Sequence, residues 1–171
     1  ISVPVAFFFL LEHQTGRNIF ALFGGVSPIT HIRDGKLRCQ GAFSHPILAG
    51  SFWASFMPLF AVFWWFNKGL KMKLYAIIGI CMVMFIVFAC SSSTPLFGLI
   101  SAFIGGLLFF MRYRMRLVRW TVLLLLISLH FMMDKPVWHL FARVSAVGGG
   151  TGWHRYRVID STIRHFDEWW L

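Results

Sequence analysis

Four long apolar runs constrain this chain more than any other feature of its sequence. They cover residues 47–66, 74–90, 94–111 and 117–133. An α-helix rises about 1.5 Å per residue, so about 20 residues cross the roughly 30 Å of hydrocarbon in a bilayer. The runs therefore predict an all-α, polytopic transmembrane fold with four full spans.

The overall composition excludes an ordinary soluble domain. Of the 171 residues, 58% are hydrophobic and only 13% are charged, whereas a soluble domain is about a quarter charged. The net charge of +10 is not evidence for a nucleic-acid partner. The basic residues lie in short runs between apolar segments, and binding a polyanion needs a basic face on a wettable domain.

The distribution of charge predicts the orientation of the chain in the membrane. Residues 67–73 and 112–119 contain lysines and arginines but no acid, and all six acids lie in the long segments 12–46 and 134–171. Short basic loops face the cytoplasm under the positive-inside rule, so the two long segments face outward. Residues 47–133 then hold the four transmembrane helices.

The two ends of the sequence suggest a longer protein. The apolar residues 1–11 are about half as long as a span, so we interpret them as the end of a truncated transmembrane helix. The chain opens on Ile1 rather than a methionine and closes on Leu171 directly after two tryptophans. We expect it to be a fragment, with 134–171 as the start of a large periplasmic loop.

Three local patterns shape the outward segments. Residues 33–36, with their Asp-Gly pair, predict a tight turn. The glycine-rich residues 148–152 predict a hinge. Beyond them, apolar residues recur every three or four positions from about Trp153, which is typical of an amphipathic helix. Thr151 is a candidate N-cap, and Arg155 and Arg157 are then expected in the first turn.

The outward segments are also rich in arginine, where the positive-inside rule disfavours it. Arginine binds diphosphate well because its planar fork donates two parallel hydrogen bonds and stays charged. The alternative is that these arginines are solvated or bind lipid headgroups. No spacing matches a P-loop, a zinc site or a catalytic triad. The outward arginines include Arg33, Arg38, Arg143, Arg155, Arg157 and Arg164.

Two segments carry a resemblance to a known family. Residues 38–46, Arg-Cys-Gln-Gly-Ala-Phe-Ser-His-Pro, resemble the R-x-x-G-x-F-x-H/N-P motif of the O-antigen ligase and O-antigen polymerase superfamily. Residues 151–160 are similar to its second signature, in which a G-x-x-R element opens a loop helix. Residues 91–94, Ser-Ser-Ser-Thr, also resemble a serine-rich helix start of that family, and the three segments occur in the family's order.

The resemblance implies a function and a location. Family members lie in the bacterial inner membrane and move glycan from an undecaprenyl-diphosphate carrier to an acceptor hydroxyl at the periplasmic face. They need no metal and no cofactor, and they serve lipopolysaccharide O-antigen or exopolysaccharide assembly. The acceptor (glycan, lipid A-core or protein) stays open. Membrane lipids are the other expected partners.

The resemblance also implies roles for individual residues. Arg38 and Arg155 correspond to the catalytic arginines that contact the diphosphate, and Arg157 and His45 to supporting substrate-binding residues. The family's general base is a histidine further along the same loop, expected beyond Leu171, so the fragment is expected to be inactive alone.

Two rival functions remain open at the level of sequence. A transporter or channel needs ionisable residues near the middle of the bilayer, and the apolar runs contain only His130 in their interiors. We expect His130 to be a helix-packing residue. A non-catalytic subunit of a polysaccharide assembly complex is the other alternative.

Overall fold

The computed structural model describes residues 1–143 and 151–169, except for the side chains of Phe141, Arg143, Thr151 and Trp169. The chain divides into two compact units, Ile1–Leu107 and Leu108–Leu171. The boundary between them falls inside a helix.

Helices dominate both units. In the described residues the α-helices are α1 (Ser2–Thr15), α2 (Pro46–Ala54), α3 (Met57–Phe66), α4 (Leu70–Ala89), α5 (Ser93–Phe110), α6 (Met115–Met132), α7 (Leu140–Arg143), α8 (Thr151–Arg164) and α9 (Phe166–Trp169). Short 3-10 helices cover Ile19–Phe23, Arg112–Arg114 and Val137–His139. Two strands, β1 (His31–Arg33) and β2 (Lys36–Arg38), form an antiparallel hairpin.

Four helical segments are long and apolar enough to cross a membrane, which agrees with the predicted four spans of a mostly helical chain. They are Pro46–Phe66, Leu70–Ala89, Ser93–Phe110 and Arg112–Met132. The second segment, Leu70–Ala89, begins four residues before the predicted apolar run 74–90 and includes two lysines. Lysine is a good helix former, and its long stem lets the ammonium group reach the membrane surface.

The first span differs from the predicted continuous helix because it is broken between α2 and α3. Pro58 has no N–H, and its ring collides with the carbonyl of Ala54 in a continuous helix. α2 accordingly ends at Ala54. The hydroxyl of Ser55 donates to the carbonyl of Phe52 at 2.6 Å, so one of the carbonyls exposed by the break is satisfied.

α4 is the centre of the first unit, where α1, α2 and α3 contact it. Its buried residues include Ala76, Gly79, Val83 and Ile86, which follow the three- and four-residue spacing of one helix face. A Cβ on Gly79 would lie 2.4 Å from Cε1 of Phe60. The glycine therefore allows α3 to approach α4 closely, as small residues do between membrane helices.

The tight turn predicted at residues 33–36 is present and closes the hairpin. Asp34 has φ 52° and Gly35 has φ 72°, the two positive values that a type I′ turn requires. Arg33 is opposite Lys36, and His31 is opposite Arg38. The hairpin departs from the all-α prediction, which contained the turn but not its strands.

The N-terminal apolar run continues as a helix beyond its predicted end. α1 ends at Thr15, where Gly16 adopts φ 67° and its N–H donates to the carbonyl of Glu12 at 2.9 Å. A 14-residue helix is too short to span the hydrocarbon alone. Its origin as part of a longer transmembrane helix stays a prediction.

In the second unit, the described residues of the predicted tail helix form α8, Thr151–Arg164. Thr151 is already helical there, so it is not the N-cap that the sequence suggested. Arg155 and Arg157 follow it on the same helix. The expected pair is present, with Nε of Arg164 2.9 Å from Oδ2 of Asp160. Residues 148–150 of the predicted hinge lie outside the described residues.

The predicted orientation can be tested with single cysteines. In intact cells, cysteines at Lys71 and Arg114 should resist a membrane-impermeant maleimide, whereas one at Lys36 should react. The background is low because Cys39 and Cys90 are buried, and burial raises the pKa of Cys39 to about 12, so little reactive thiolate forms. Cys81 is replaced by serine. Labelling at Lys71 from outside would reverse the predicted topology.

Candidate anion site around Arg38

Arg38 is a buried cation at the end of β2. The residue is 8% exposed, and its Nε has no hydrogen-bond partner in the described part of the chain. Burying an arginine costs free energy unless the guanidinium group is paired and hydrogen-bonded. A bound anion would therefore reduce the free-energy cost of burying the charge of Arg38.

Arg33 is the group that adds positive charge around Arg38. Burial lowers the pKa of Arg38, and the charge of Arg33 lowers it further. The rings of His31 and His45 lie 6.4 Å apart between centroids. Asp34 raises the pKa of Arg38. Its Oδ2 also lies 3.8 Å from Nε of Arg33, so it is shared between the two arginines. A bound anion would lower the electrostatic energy of this cluster.

His45 has a structural role at the start of α2. Its Nδ1 accepts a hydrogen bond from the backbone N–H of Ile47 at 3.1 Å, and Pro46 occupies the first turn. Proline is favoured there because the first turn needs no N–H from it. An Nδ1 that accepts requires a neutral ring. Burial, Arg38 and His31 all lower the pKa of His45, which keeps the ring neutral at pH 7.

Glu12 organises the loop that carries Arg38. The carboxylate is 1% exposed and accepts from the backbone N–H groups of Gln40 at 3.0 Å and Gly41 at 2.9 Å. The hydroxyl of Thr30 donates to it at 3.2 Å. Glu12 was not among the site residues predicted from the sequence. A lone acid at the end of an apolar run was the signal that could have identified it.

Two further contacts fix the same loop against the helices. The backbone N–H of Cys39 donates to the carbonyl of Ala89, at the end of α4, at 3.1 Å. The amide of Asn18 donates to the carbonyl of Gly41 at 2.7 Å. Gly41 has φ 56°, and a Cβ there would lie 2.5 Å from Cε2 of Phe9. The glycine of the R-x-x-G motif is thus required by both conformation and space.

α2 packs closely against the start of α5. A Cβ on Gly50 would lie 2.5 Å from Cγ of Pro95 and 3.3 Å from Cβ of Cys90. Cys90 is among the groups that act electrostatically on Arg38. Residues 91–94 do form a helix start, because α5 begins at Ser93. α5 therefore starts close in sequence to the end of α4, where the carbonyl of Ala89 accepts from the loop that carries Arg38.

Gln40 is a second polar residue of the site that the sequence analysis did not single out. It is 1% exposed, and neither its Oε1 nor its Nε2 has a hydrogen-bond partner among the described residues. It occupies a variable position of the motif. Its burial is decided by tertiary contacts that no local pattern shows.

The predicted site residues divide between the two units. Arg38 and His45 lie close together in the first unit. Arg155 and Arg157 lie on α8 of the second unit, where Arg155 is half-buried and Arg157 is exposed. The prediction that Arg38 and Arg155 contact one diphosphate therefore stays a prediction. In the described ranges, no group of three or more His, Cys, Asp or Glu is arranged to hold a metal ion.

By length and composition, four helices of this chain are able to span a membrane, and this is the character of a helical membrane protein. Comparisons with known protein families, with curated proteins and with solved structures find no match.

Proposed function

We propose that this chain is part of an inner-membrane glycosyltransferase. It transfers or polymerises glycan from an undecaprenyl-diphosphate carrier onto an acceptor hydroxyl at the periplasmic face. The observation that carries the proposal is the buried Arg38, whose Nε lacks a partner in the described residues. Arg38 is also the arginine of the first motif that resembles the O-antigen ligase and polymerase superfamily.

A diphosphate fits the chemistry of this position. The loop lies directly before the first turn of a span-length segment, Pro46–Phe66, so a ligand there can keep a lipid tail in the hydrocarbon. Arginine donates two parallel hydrogen bonds to phosphate oxygens, and such charge-assisted bonds are about twice as strong as neutral ones. The N–H groups at the start of α2 are not part of this contact, because Pro46 has none and that of Ile47 donates to Nδ1 of His45.

Negative charge develops on the leaving diphosphate during the reaction. The acceptor oxygen forms a bond to the anomeric carbon of the donor glycan. The bond from that carbon to the diphosphate oxygen breaks, and its electron pair leaves with the diphosphate. Arg38 stabilises the leaving group, and Arg155 is proposed as the second contact. The proton of the acceptor goes to the histidine base that the resemblance implies further along the outward loop.

The test is glycan transfer by variants of the full-length protein. Arg38→Ala should lower surface polysaccharide by about 100-fold or more, the loss typical of removing one donor to transition-state charge. Arg38→Lys should lose most of it as well, because lysine keeps the charge but not the planar fork. Polysaccharide is measured on a gel and membrane abundance in parallel. Arg17→Ala is the matched control, since Arg17 is exposed in the same predicted loop.

The variants separate the proposal from its rivals. Transfer by Arg38→Ala at normal abundance would contradict the assignment and favour a non-catalytic subunit. Full transfer by Arg38→Lys would mean that Arg38 contributes only its positive charge and not its planar fork. Arg155→Ala and Arg155→Lys are expected to match the Arg38 variants, and the double variant Arg38→Ala with Arg155→Ala should lose little more than either single variant if both bind one diphosphate.

A further inference from the structure

A cavity lies at the end of the last span, in the second unit. It has a volume of about 230 Å³ and is lined by Met132, Met133, Asp134, Lys135 and His139. Ligand pockets for drug-sized molecules begin at about 300 Å³. A space of this volume takes a small polar group rather than a whole lipid or a glycan.

The cavity has a firmly held wall. Trp138 stacks on His130 with ring centroids 5.7 Å apart, and its Nε1 donates to Oδ1 of Asp160 at 3.1 Å. The backbone N–H of Val137 donates to Nδ1 of His130 at 3.3 Å. These contacts fasten the 3-10 helix Val137–His139 to α6 on one side and to α8 on the other.

One polar atom of that wall has no partner. His139 is 9% exposed, and its Nδ1 makes no hydrogen bond in the part of the chain that the structure describes. Tyr156 meets the ring edge to face at 4.9 Å between centroids. A buried ring nitrogen without a partner costs free energy. This nitrogen is closed off from solvent, but His139 lines the cavity, so the rest of its ring is what a ligand there can contact.

The lining combines a carboxylate, an ammonium group and two thioethers within four consecutive residues. Lys135 and His139 can both donate to a phosphate. Asp134 can accept from a primary ammonium group close to that phosphate. Met132 and Met133 form an apolar side where the span ends. We propose that the cavity binds the headgroup of a zwitterionic phospholipid with a primary amine, such as phosphatidylethanolamine.

The carboxylate of Asp134 decides between lipid classes. It repels a purely anionic headgroup such as phosphatidylglycerol, and a quaternary ammonium of phosphatidylcholine has no N–H to donate to it. The cavity does not depend on the glycosyltransferase proposal, because its chemistry is set by residues of the second unit alone.

The experiment counts lipids retained by the purified full-length protein in native mass spectrometry. Micelles contain equal amounts of phosphatidylethanolamine, phosphatidylcholine and phosphatidylglycerol. The wild type should retain phosphatidylethanolamine about fivefold over each of the others, the ratio equivalent to one exposed charge pair of about 1 kcal/mol. Equal retention of phosphatidylcholine, or a preference for phosphatidylglycerol, would overturn the proposal.

The variants test each contact of the headgroup. Asp134→Asn should remove the preference over phosphatidylglycerol, and an unchanged preference would refute the role of the carboxylate. Lys135→Met and His139→Phe should lower retention of every phospholipid, and the phenylalanine keeps the ring packing on Tyr156. Lys36→Met is the matched control, as an exposed lysine remote in sequence from the cavity.

A competition separates a phospholipid from an isoprenoid diphosphate. Farnesyl diphosphate is added to the wild type at the same concentration as the phospholipids. Continued retention of phosphatidylethanolamine supports the headgroup site. Displacement from this cavity would assign it to a lipid diphosphate instead and end the proposal.

Discussion

Glu12→Ala should destabilise the protein more than any other single change around the site. The substitution leaves the N–H groups of Gln40 and Gly41 and the hydroxyl of Thr30 without their acceptor. Each buried donor left unpaired costs about 1–3 kcal/mol, so the free energy of unfolding should fall by at least about 3 kcal/mol. The loop that carries Arg38 is then no longer held, and glycan transfer should be lost with it.

Thermal unfolding of the purified protein measures this effect. In a chain of this size, 1 kcal/mol corresponds to about 2–4 °C in the midpoint. Glu12→Gln keeps the shape and one acceptor oxygen but turns an NH₂ group toward one donor, so its loss should be intermediate. Gln14→Ala, an exposed change on the same helix, should leave the midpoint unaltered. A wild-type midpoint for Glu12→Ala would show that the carboxylate does not hold the loop.

Gly41→Ala is expected to have the second-largest effect, for two separable reasons. A residue with a Cβ pays about 1–2 kcal/mol to adopt the left-handed conformation, and Gly41 has φ 56°. In addition, the new Cβ would lie 2.5 Å from the ring of Phe9, so that α1 or the loop must move. We expect the loss of stability to exceed the conformational cost alone, and transfer to fall with the displacement of Arg38.

A matched glycine separates the two costs. Gly35 has φ 72°, but nothing lies within 4 Å of a Cβ placed there, so Gly35→Ala should show the conformational cost without the collision. Combining Gly41→Ala with Phe9→Ala should cost less than the sum of the single changes, because the smaller side chain removes the collision. Additive midpoints in the double variant would mean that Phe9 is not the obstacle.

The membrane fold could be predicted because it depends on length and composition. A segment of about 20 apolar residues has few alternatives to a spanning helix, since every backbone N–H and C=O must be satisfied within the segment. The turn at Asp34 and Gly35 was predictable for a similarly local reason, as two adjacent residues tolerate positive φ. Pro58 shows that apolar length alone does not predict a continuous helix. Its missing N–H breaks the first span into α2 and α3.

The candidate site was predictable only in part. Arg38 and His45 belong to a motif and could be singled out by order and spacing. Glu12 stands out only as a lone acid at the end of an apolar run, and Gln40 does not stand out at all. Their roles could not be predicted, because they follow from contacts across 28 positions between α1 and the loop. No periodicity or spacing records that a carboxylate at the end of one helix accepts from backbone groups of a distant loop.

By itself, the sequence determined that the chain is mostly helical, which four segments are long and apolar enough to cross a membrane, and which arginine opens the first motif. Hydrophobic length, charge and backbone preference are properties of neighbouring residues, so they can be read along the chain. The tertiary structure alone decided that Arg38 is buried, that Glu12 holds its loop and that His139 lines a cavity. Burial and hydrogen-bond satisfaction depend on which distant segments meet, and that is a property of the folded chain.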